Sequence, residues 1–399
     1  MDVYDPIHGN IFIDPLAKAI VDTPEFQRLR NIKQLGCCYY VFPGACHNRF
    51  EHSLGVYHLT KEYIQILNTD NQFTTEEIRC LTIAALIHDI GHGPYSHLFD
   101  ELLPKENHHE YRSIQLLKHM NTTYSLHLTD EDMKMIQHMI DPQDPPKEKP
   151  YLYQIVSNPN GVDVDRFDYL IRDIRAIGLN YGIEYKRIMK HSVIVDGTIQ
   201  YSEKVQVNIQ EFFRTRAIMY KEVYNHHTVR ALEYMIQTFL ELTNDYFQIK
   251  QSILKQDWSK FLTFTDSLVE LSPFLPGIPE KATKLMKQIK ERRLYQRKVE
   301  LISPFKLCDT LQKDNFIIDV VYIQCCGKQK CKYITKKESF NYLKDTTESY
   351  YITSVYSKLD KLDKEGEVWI ELLKDKVIQD SQKSLPVHSH QGHLGPQSV

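Results

Sequence analysis

No apolar run in this 399-residue sequence reaches the roughly 18 residues that a membrane-crossing helix needs. The opening stretch, MDVYDPIHGNIF, has neither the basic-then-apolar pattern of a secretion signal nor that of an organelle transit peptide. Together these absences predict a nuclear or cytoplasmic protein with no membrane partner. Charge of one sign is lacking too. The formal net charge is −3, so any site for a polyanion has to be a local patch. Eight cysteines are present (Cys37, Cys38, Cys46, Cys80, Cys308, Cys325, Cys326 and Cys331), but no CxxC pair. In a chain of this length without a signal, free thiols are expected, and Cys325, Cys326 and Cys331 have no histidine nearby to complete a zinc site. No internal repeat occurs.

What is present is helical pattern and histidine. Helices are expected at Leu16–Asp22, at Pro24–Gln34 with Thr23 as N-cap, and at Asn48–Asn68. A fourth follows the Thr74/Glu77 capping box and runs to His88-Asp89, where Gly91 and Gly93 break it. Further helices fit His108 to about Met120, Asp130–Ile140 after Thr129, Asp163–Ile177, Asn208 to about Tyr246, Phe264–Leu271 and Glu280–Val299. Asp196-Gly197 marks a two-residue hairpin within Ser192–Tyr201. Beyond residue 303, Phe316–Gln324, Lys332–Thr335 and Tyr350–Tyr356 read as strands and Lys337–Lys344 as helix. The fold class is therefore mainly α: a helical bundle with a small β-hairpin and a C-terminal α/β appendage. The expected domains are a catalytic bundle at 1–303 (core 45–180), a small α/β lobe at 304–379 and a disordered tail at 380–399.

The densest chemistry lies in Leu81–Asp100, LTIAALIHDIGHGPYSHLFD. An apolar helix carries His88 and Asp89 into the interior, where charge must be paired or bound to metal. Taken alone, the pair could equally be a satisfied core contact. Joined by His52 and Asp165 it becomes an H…HD…D set delivered by three helices. Two imidazoles and two carboxylates suit zinc, manganese, iron or nickel better than calcium. Such an ion could activate water and polarise phosphorus. His92, His97, Asp100 and His109 are candidate proton donors beside it.

With these residues assembled, a resemblance is plain. The runs Asp5-Pro-Ile-His-Gly9, Asp22-Thr-Pro-x-Phe-Gln-Arg-Leu-Arg30, Ile32-Lys-Gln-Leu-Gly36 and Tyr39-Tyr-Val-Phe-Pro-Gly-Ala45 carry it. It continues in His47-Asn-Arg-Phe-Glu-His-Ser-Leu-Gly55, His88-Asp-x-Gly-His-Gly-Pro-x-Ser-His97 and Asn160-Gly-x-Asp-Val-Asp165. The chain resembles the HD-domain phosphohydrolases and, among them, the family of SAM-and-HD-domain deoxynucleoside triphosphate triphosphohydrolases. The likeness is dense over about 3–230, and no SAM domain precedes it, so a shorter form is implied.

The resemblance implies an HD-domain helical bundle that hydrolyses dNTP to deoxynucleoside and inorganic triphosphate. It implies metal ligands at His52, His88, Asp89 and Asp165. His92, Asp100 and His109 would relay protons, with His97 a rival or additional acid. Substrate contacts would fall on Gln34, Leu35, Arg49, Arg166, Tyr169, Asp173, Arg216 and Tyr224. The cofactor would be one transition metal (Zn, Fe or Mn), with Mg on the nucleotide phosphates. The family also implies GTP or dNTP activators between subunits of a homo-oligomer, dimer or tetramer. Asp22, Gln27, Arg30, Val41, Phe42, Arg187, Asn208, His226 and Arg292 match activator positions. Glu222, His227 and Gln296 depart from basic ones, and Arg with Glu exchanged beside a triphosphate turns attraction into repulsion. Alternatives are another HD-type nucleotidase or phosphodiesterase, or a nucleotide- or weak single-strand nucleic-acid-binding protein using the basic residues of Asn208–Arg230 and Glu280–Lys298.

Overall fold

The computed structural model describes residues 1–142, 146–303, 316–323, 333–334, 350–358, 364, 366–371 and 373–374. The chain forms two compact units, Met1–Leu294 with Gln324–Glu348, and Tyr295–Ile323 with Ser349–Val399.

Capping chemistry sets the helices of the first unit. Asn48 and Glu51 form a capping box that starts the Arg49–Leu67 helix. Thr74 with Glu77, and Thr129 with Asp132, do the same for Thr75–Ile87 and Asp130–Ile140. Each box satisfies N–H groups that a helix start leaves open, worth about 1 kcal/mol. Thr75–Ile87 packs against both other helices. Its Leu81, Ile83, Leu86 and Ile87 are all buried, each contributing roughly 1.5–3 kcal/mol. The Val164–Ala176 helix, capped by Asp163, crosses Arg49–Leu67 on another side. Three elements therefore converge where His52, His88 and Asp165 sit. A hairpin of Asp2–Asp5 and Gly9–Phe12 precedes the bundle. The expected Asp196-Gly197 hairpin is present as Ser192–Val195 and Thr198–Ser202, both glycine and aspartate in the left-handed region. Tyr333–Ile334 adds to its edge in parallel.

Three expected helices are shorter or divided. Pro24 starts only one α turn, Pro24–Gln27, which tightens into a 3-10 turn at Arg28–Asn31. Asn208–Tyr246 is two helices, Gln206–Met219 and His227–Phe247, joined by a π turn at Tyr220–Tyr224. The π turn shifts the register, and His226 caps the second helix by accepting from the Thr228 N–H. The helix expected to reach Val299 ends at Lys290, with Arg292 at φ 59°, and Gln296–Ser303 is a strand.

In the second unit Gln296–Ser303, Phe316–Ile323 and Tyr350–Ser357 form an antiparallel sheet with the last strand in the centre. Val299, Phe316 and Val355 pack with Ile370 and Leu373 into its core. The expected helix at Lys337–Lys344, the Cys325-Cys326-Cys331 group, Cys308 and the tail from 380 lie outside the described residues. Among the described residues no helix is long and apolar enough to cross a membrane, and Cys37, Cys38, Cys46 and Cys80 are free thiols.

Candidate metal and phosphate site

His88 stands at the C-cap of Thr75–Ile87. Its Nδ1 lies 2.8 Å from the Ala85 carbonyl, which only an N–H can approach favourably. The lone pair is thereby left on Nε2. His52 is held the same way, with Nδ1 2.7 Å from Asp168 Oδ2. The two Nε2 atoms face each other at 3.3 Å. Asp165 Oδ1 lies 3.1 Å from His52 Nε2 and 3.5 Å from His88 Nε2. The Asp89 carboxylate lies 3.5 Å from each Nε2. Lone pairs and carboxylate oxygens thus converge on one point. Such an arrangement can hold a cation at its centre, and the donor set fits a divalent transition metal. The Nδ1 partners orient the imidazoles and raise their basicity.

The charges agree. Burial opposes protonation of His52, but the Asp165 and Asp168 carboxylates outweigh it and push the imidazole up to about 10. Burial likewise opposes and loses at His88, raised by Asp89 and Asp165. A proton is what this pocket holds most readily when it has nothing else. Burial also works against the Asp89 charge, yet Arg49, His88 and His92 hold its carboxyl well below the usual range.

A second group stands beside the first. His92 and His109 stack with ring centroids 3.8 Å apart. Asp100 orients His109 through Nδ1 at 2.9 Å and is itself paired with the buried Arg112. His92 Nε2 lies 3.2 Å from Asp89 Oδ1 without hydrogen-bond geometry. Burial, with Arg49 and His109 nearby, drives His92 well below its ordinary value, and burial lowers His109 as well. Both rings therefore favour the neutral form. His97 differs: its side chain is 75% exposed, 3.9 Å from Asp100. The close approach of these loops depends on Gly91, where a Cβ would fall 2.2 Å from the His109 carbonyl oxygen.

Both groups open on one cavity of about 430 Å³. All the residues expected as ligands, proton carriers or substrate contacts line it except Asp100, which stands behind His109. Arg49 reaches across the metal group to Asp89 and donates from Nε to Ser96 Oγ at 2.9 Å. Arg166 is turned onto Asp163, and Arg216 Nε lies 3.4 Å from the Tyr169 hydroxyl. Asp173 accepts from Tyr224 at 2.6 Å and meets His47 Nε2 at 2.7 Å, which fixes that wall. Gln34 Oε1 is a buried acceptor with no partner, and Leu35 lies beside it.

An HD domain model matches residues 49–173, and an HD associated region matches 183–304. A mimivirus protein, putative HD domain-containing protein L394, is 36% identical over 334 residues, covering 74% of this chain and 72% of that protein. This chain belongs to the HD-domain family. His88-Asp89 lies within the matched span; the HD domain implies a divalent metal, and His52, His88 and Asp89 form a group that could hold one. The deoxynucleoside triphosphate triphosphohydrolase SAMHD1 homolog of Dictyostelium discoideum is 36% identical over 311 residues, covering 75% of this chain. Homo sapiens SAMHD1 is 32% identical over 387 residues, covering 80% of this chain. The chain spans 60% and 62% of the length of these two relatives.

Residues with no expected role complete the HD site. Asp168 lies between His52 and His8 Nε2, the latter at 2.6 Å, and takes both Nε and Nη2 of Arg172. Arg172 continues to Asp5 at 2.8 Å, and Asp5 accepts the backbone N–H of Ile7 and His8. One signal was available: Asp165, Asp168 and Arg172 share a helix face at spacings of three and four. Nothing local marks His8 as their partner.

The activator-position residues lie outside the cavity lining. Gln27 accepts from Arg30 at 2.8 Å, and Asp22 is spent on Lys18. Phe42 meets His226 edge-on at 5.9 Å, near Val41. Arg187 donates to Asn208 at 3.3 Å. Arg292 is exposed just past the Glu280–Lys290 helix.

Proposed function

We propose that this chain is a metal-dependent phosphohydrolase that splits deoxynucleoside triphosphates into deoxynucleoside and inorganic triphosphate. The observation that carries the reading is two imidazole lone pairs and two carboxylates converging at the end of an arginine-lined cavity. A divalent ion held by His52, His88, Asp89 and Asp165 would supply Lewis-acid charge at the α-phosphate. Zinc, iron and manganese fit these ligands, with magnesium on the outer phosphates. Arg49 and Tyr169 would hold the α-phosphate side, and Arg166 and Arg216 the rest of the triphosphate, because a buried polyanion needs guanidinium forks. The unpartnered Gln34 Oε1 is an acceptor for a sugar hydroxyl. Leu35 and the fixed Asp173–Tyr224 wall would leave a 2′-hydroxyl no room. His109, oriented by Asp100, and His92 stacked on it would accept and pass on the proton released when water attacks. His97, at the exposed side, would donate one to the departing sugar oxygen.

Nucleotide activation by GTP or dNTP and a homo-oligomeric state belong to the same reading, through the Asp22–Gln27–Arg30 and Phe42–His226 surfaces. So does a nuclear or cytoplasmic setting, where dNTPs are found.

The test is incubation of the purified chain with each dNTP and Mn or Mg, with and without GTP, followed by product chromatography. Deoxynucleoside and triphosphate in equal amounts are expected, and Asp165→Ala abolishes both. Monophosphate as product would refute the triphosphohydrolase reading, as would no turnover under any of these conditions.

A further inference from the structure

Asp266 lies far along the chain from every residue given a role above, yet it touches both walls of the cavity. It is 2% exposed. Its Oδ2 accepts the Lys33 backbone N–H at 2.9 Å and its Oδ1 the Tyr95 backbone N–H at 2.8 Å. Lys33 leads directly into Gln34 and Leu35; Tyr95 leads into Ser96 and His97. Ser96 Oγ donates to the Lys33 carbonyl at 3.1 Å and accepts from Arg49. Tyr95 and Ser96 are consecutive non-glycine residues at φ 57° and 59°, a strained conformation that persists only where neighbours enforce it. Arg28 adds a parallel link, donating to the Phe264 carbonyl and to those of Ile90 and His92.

We propose that Asp266 is a positioning residue: by accepting from Lys33 and Tyr95 at once, it locks the Gln34–Leu35 wall and the Tyr95–His97 wall in one register. That register aims Arg49 and His97 at the substrate. The proposal rests on the phosphohydrolase reading for its catalytic consequence, though not for its structural one. Each backbone N–H meets its own carboxylate oxygen, whereas an amide offers one acceptor and turns its own N–H against the other donor. Burial pushes Asp266 up to about 6, opposed by the two N–H groups and Lys33, which leaves it ionised at pH 7. The metal ligands hang from the bundle helices and not from this clip. Metal content and positioning are therefore separable.

The experiment compares wild type with Asp266→Asn and, as a cut of the separate Ser96–Lys33 link between the same two walls, Ser96→Ala. Three quantities are read: bound metal, amide exchange across 31–36 and 94–98, and steady-state dNTP kinetics. The expected result is full metal content, exchange at least roughly tenfold faster in both segments, and kcat lowered about 10- to 100-fold with a smaller change in KM. Should Asp266→Asn fail to fold, Asp266→Glu, which keeps the carboxylate on a longer side chain, carries the same three readouts. Absence of dNTP turnover in wild type would sink the functional reading alone, and the exchange data would still decide the clip. Folded variants with unaltered exchange in those segments, or with wild-type kcat where wild type turns over, would overturn the proposal.

Discussion

Gly55→Ala adds one methyl group to the middle of the Arg49–Leu67 helix, and the structure gives its consequence. Helix propensity alone would make the change stabilising by about 1 kcal/mol. Here, however, the new Cβ would lie 2.0 Å from Asp168 Oδ1 and 2.5 Å from Arg172 Nη2. Ordinary contact begins near 3.4 Å, so the carboxylate has to retreat by about 1.4 Å, the difference of the two distances. A shift of that size breaks its 2.6 Å contact with His8 and the 2.7 Å contact that orients His52. Disrupting a buried ion network costs roughly 3–5 kcal/mol, so the net effect is destabilisation by about 2–4 kcal/mol. Loss of the carboxylate behind a ligating histidine weakens metal binding about 10- to 100-fold. Denaturant unfolding gives the first quantity, and metal titration against a competing chelator gives the second. A Gly55→Ala protein that is more stable than wild type and binds metal equally well would refute this account of Asp168.

Metal loading displaces protons. His52 without metal holds a proton up to about 10, so its stabilising contribution is complete below 6.5 and lost as pH rises through 10. Metal affinity correspondingly rises about tenfold per pH unit across that window, and calorimetry in two buffers of different ionisation heat reads at least one proton released per ion; no release contradicts a protonated His52 in the metal-free protein. His97→Ala keeps fold and metal, because the side chain is exposed, and loses about 10²- to 10⁴-fold in turnover if it is the acid; product formation at the wild-type rate removes it from that role. Arg172→Met strips the counter-charge from Asp168 and Asp5 and destabilises by about 3–5 kcal/mol in urea unfolding; a change under about 1 kcal/mol would show the pairs to be dispensable.

The helices were legible where their ends are written locally. The Thr74–Glu77 box and the Thr129 cap stand at the observed starts. Where the ending is tertiary, the pattern runs on. No proline or glycine marks the π turn at Tyr220–Tyr224, and Arg292, a non-glycine at positive φ, ends a helix whose charge pattern continues. The site divides in the same way. His88, Asp89, His92 and His97 are crowded into one short stretch, so sequence exposes them. His8 meets Asp168 across 160 residues, and Asp266 meets Lys33 across 233. Neither residue's sequence neighbourhood names its distant partner, and only packing reveals what each holds.

The count of fixed charge around the HD motif explains why support and ligands form one system. Asp5, Asp89, Asp165 and Asp168 bring four carboxylates, with Glu51 partly exposed at the edge, against the guanidiniums of Arg49 and Arg172. At least two negative charges remain, next to two imidazoles whose Nδ1 atoms are already committed. A surplus of that size, largely buried, has to be neutralised. A divalent ion supplies the right charge at the point where the lone pairs meet; protons on His52 and His88 are the substitute, which is why both are driven upward. The Asp168–Arg172–Asp5 chain also ties this balance to the N-terminal hairpin through His8. Losing the ion therefore matters least in mild acid, where protons replace it, and most in alkali, where nothing does.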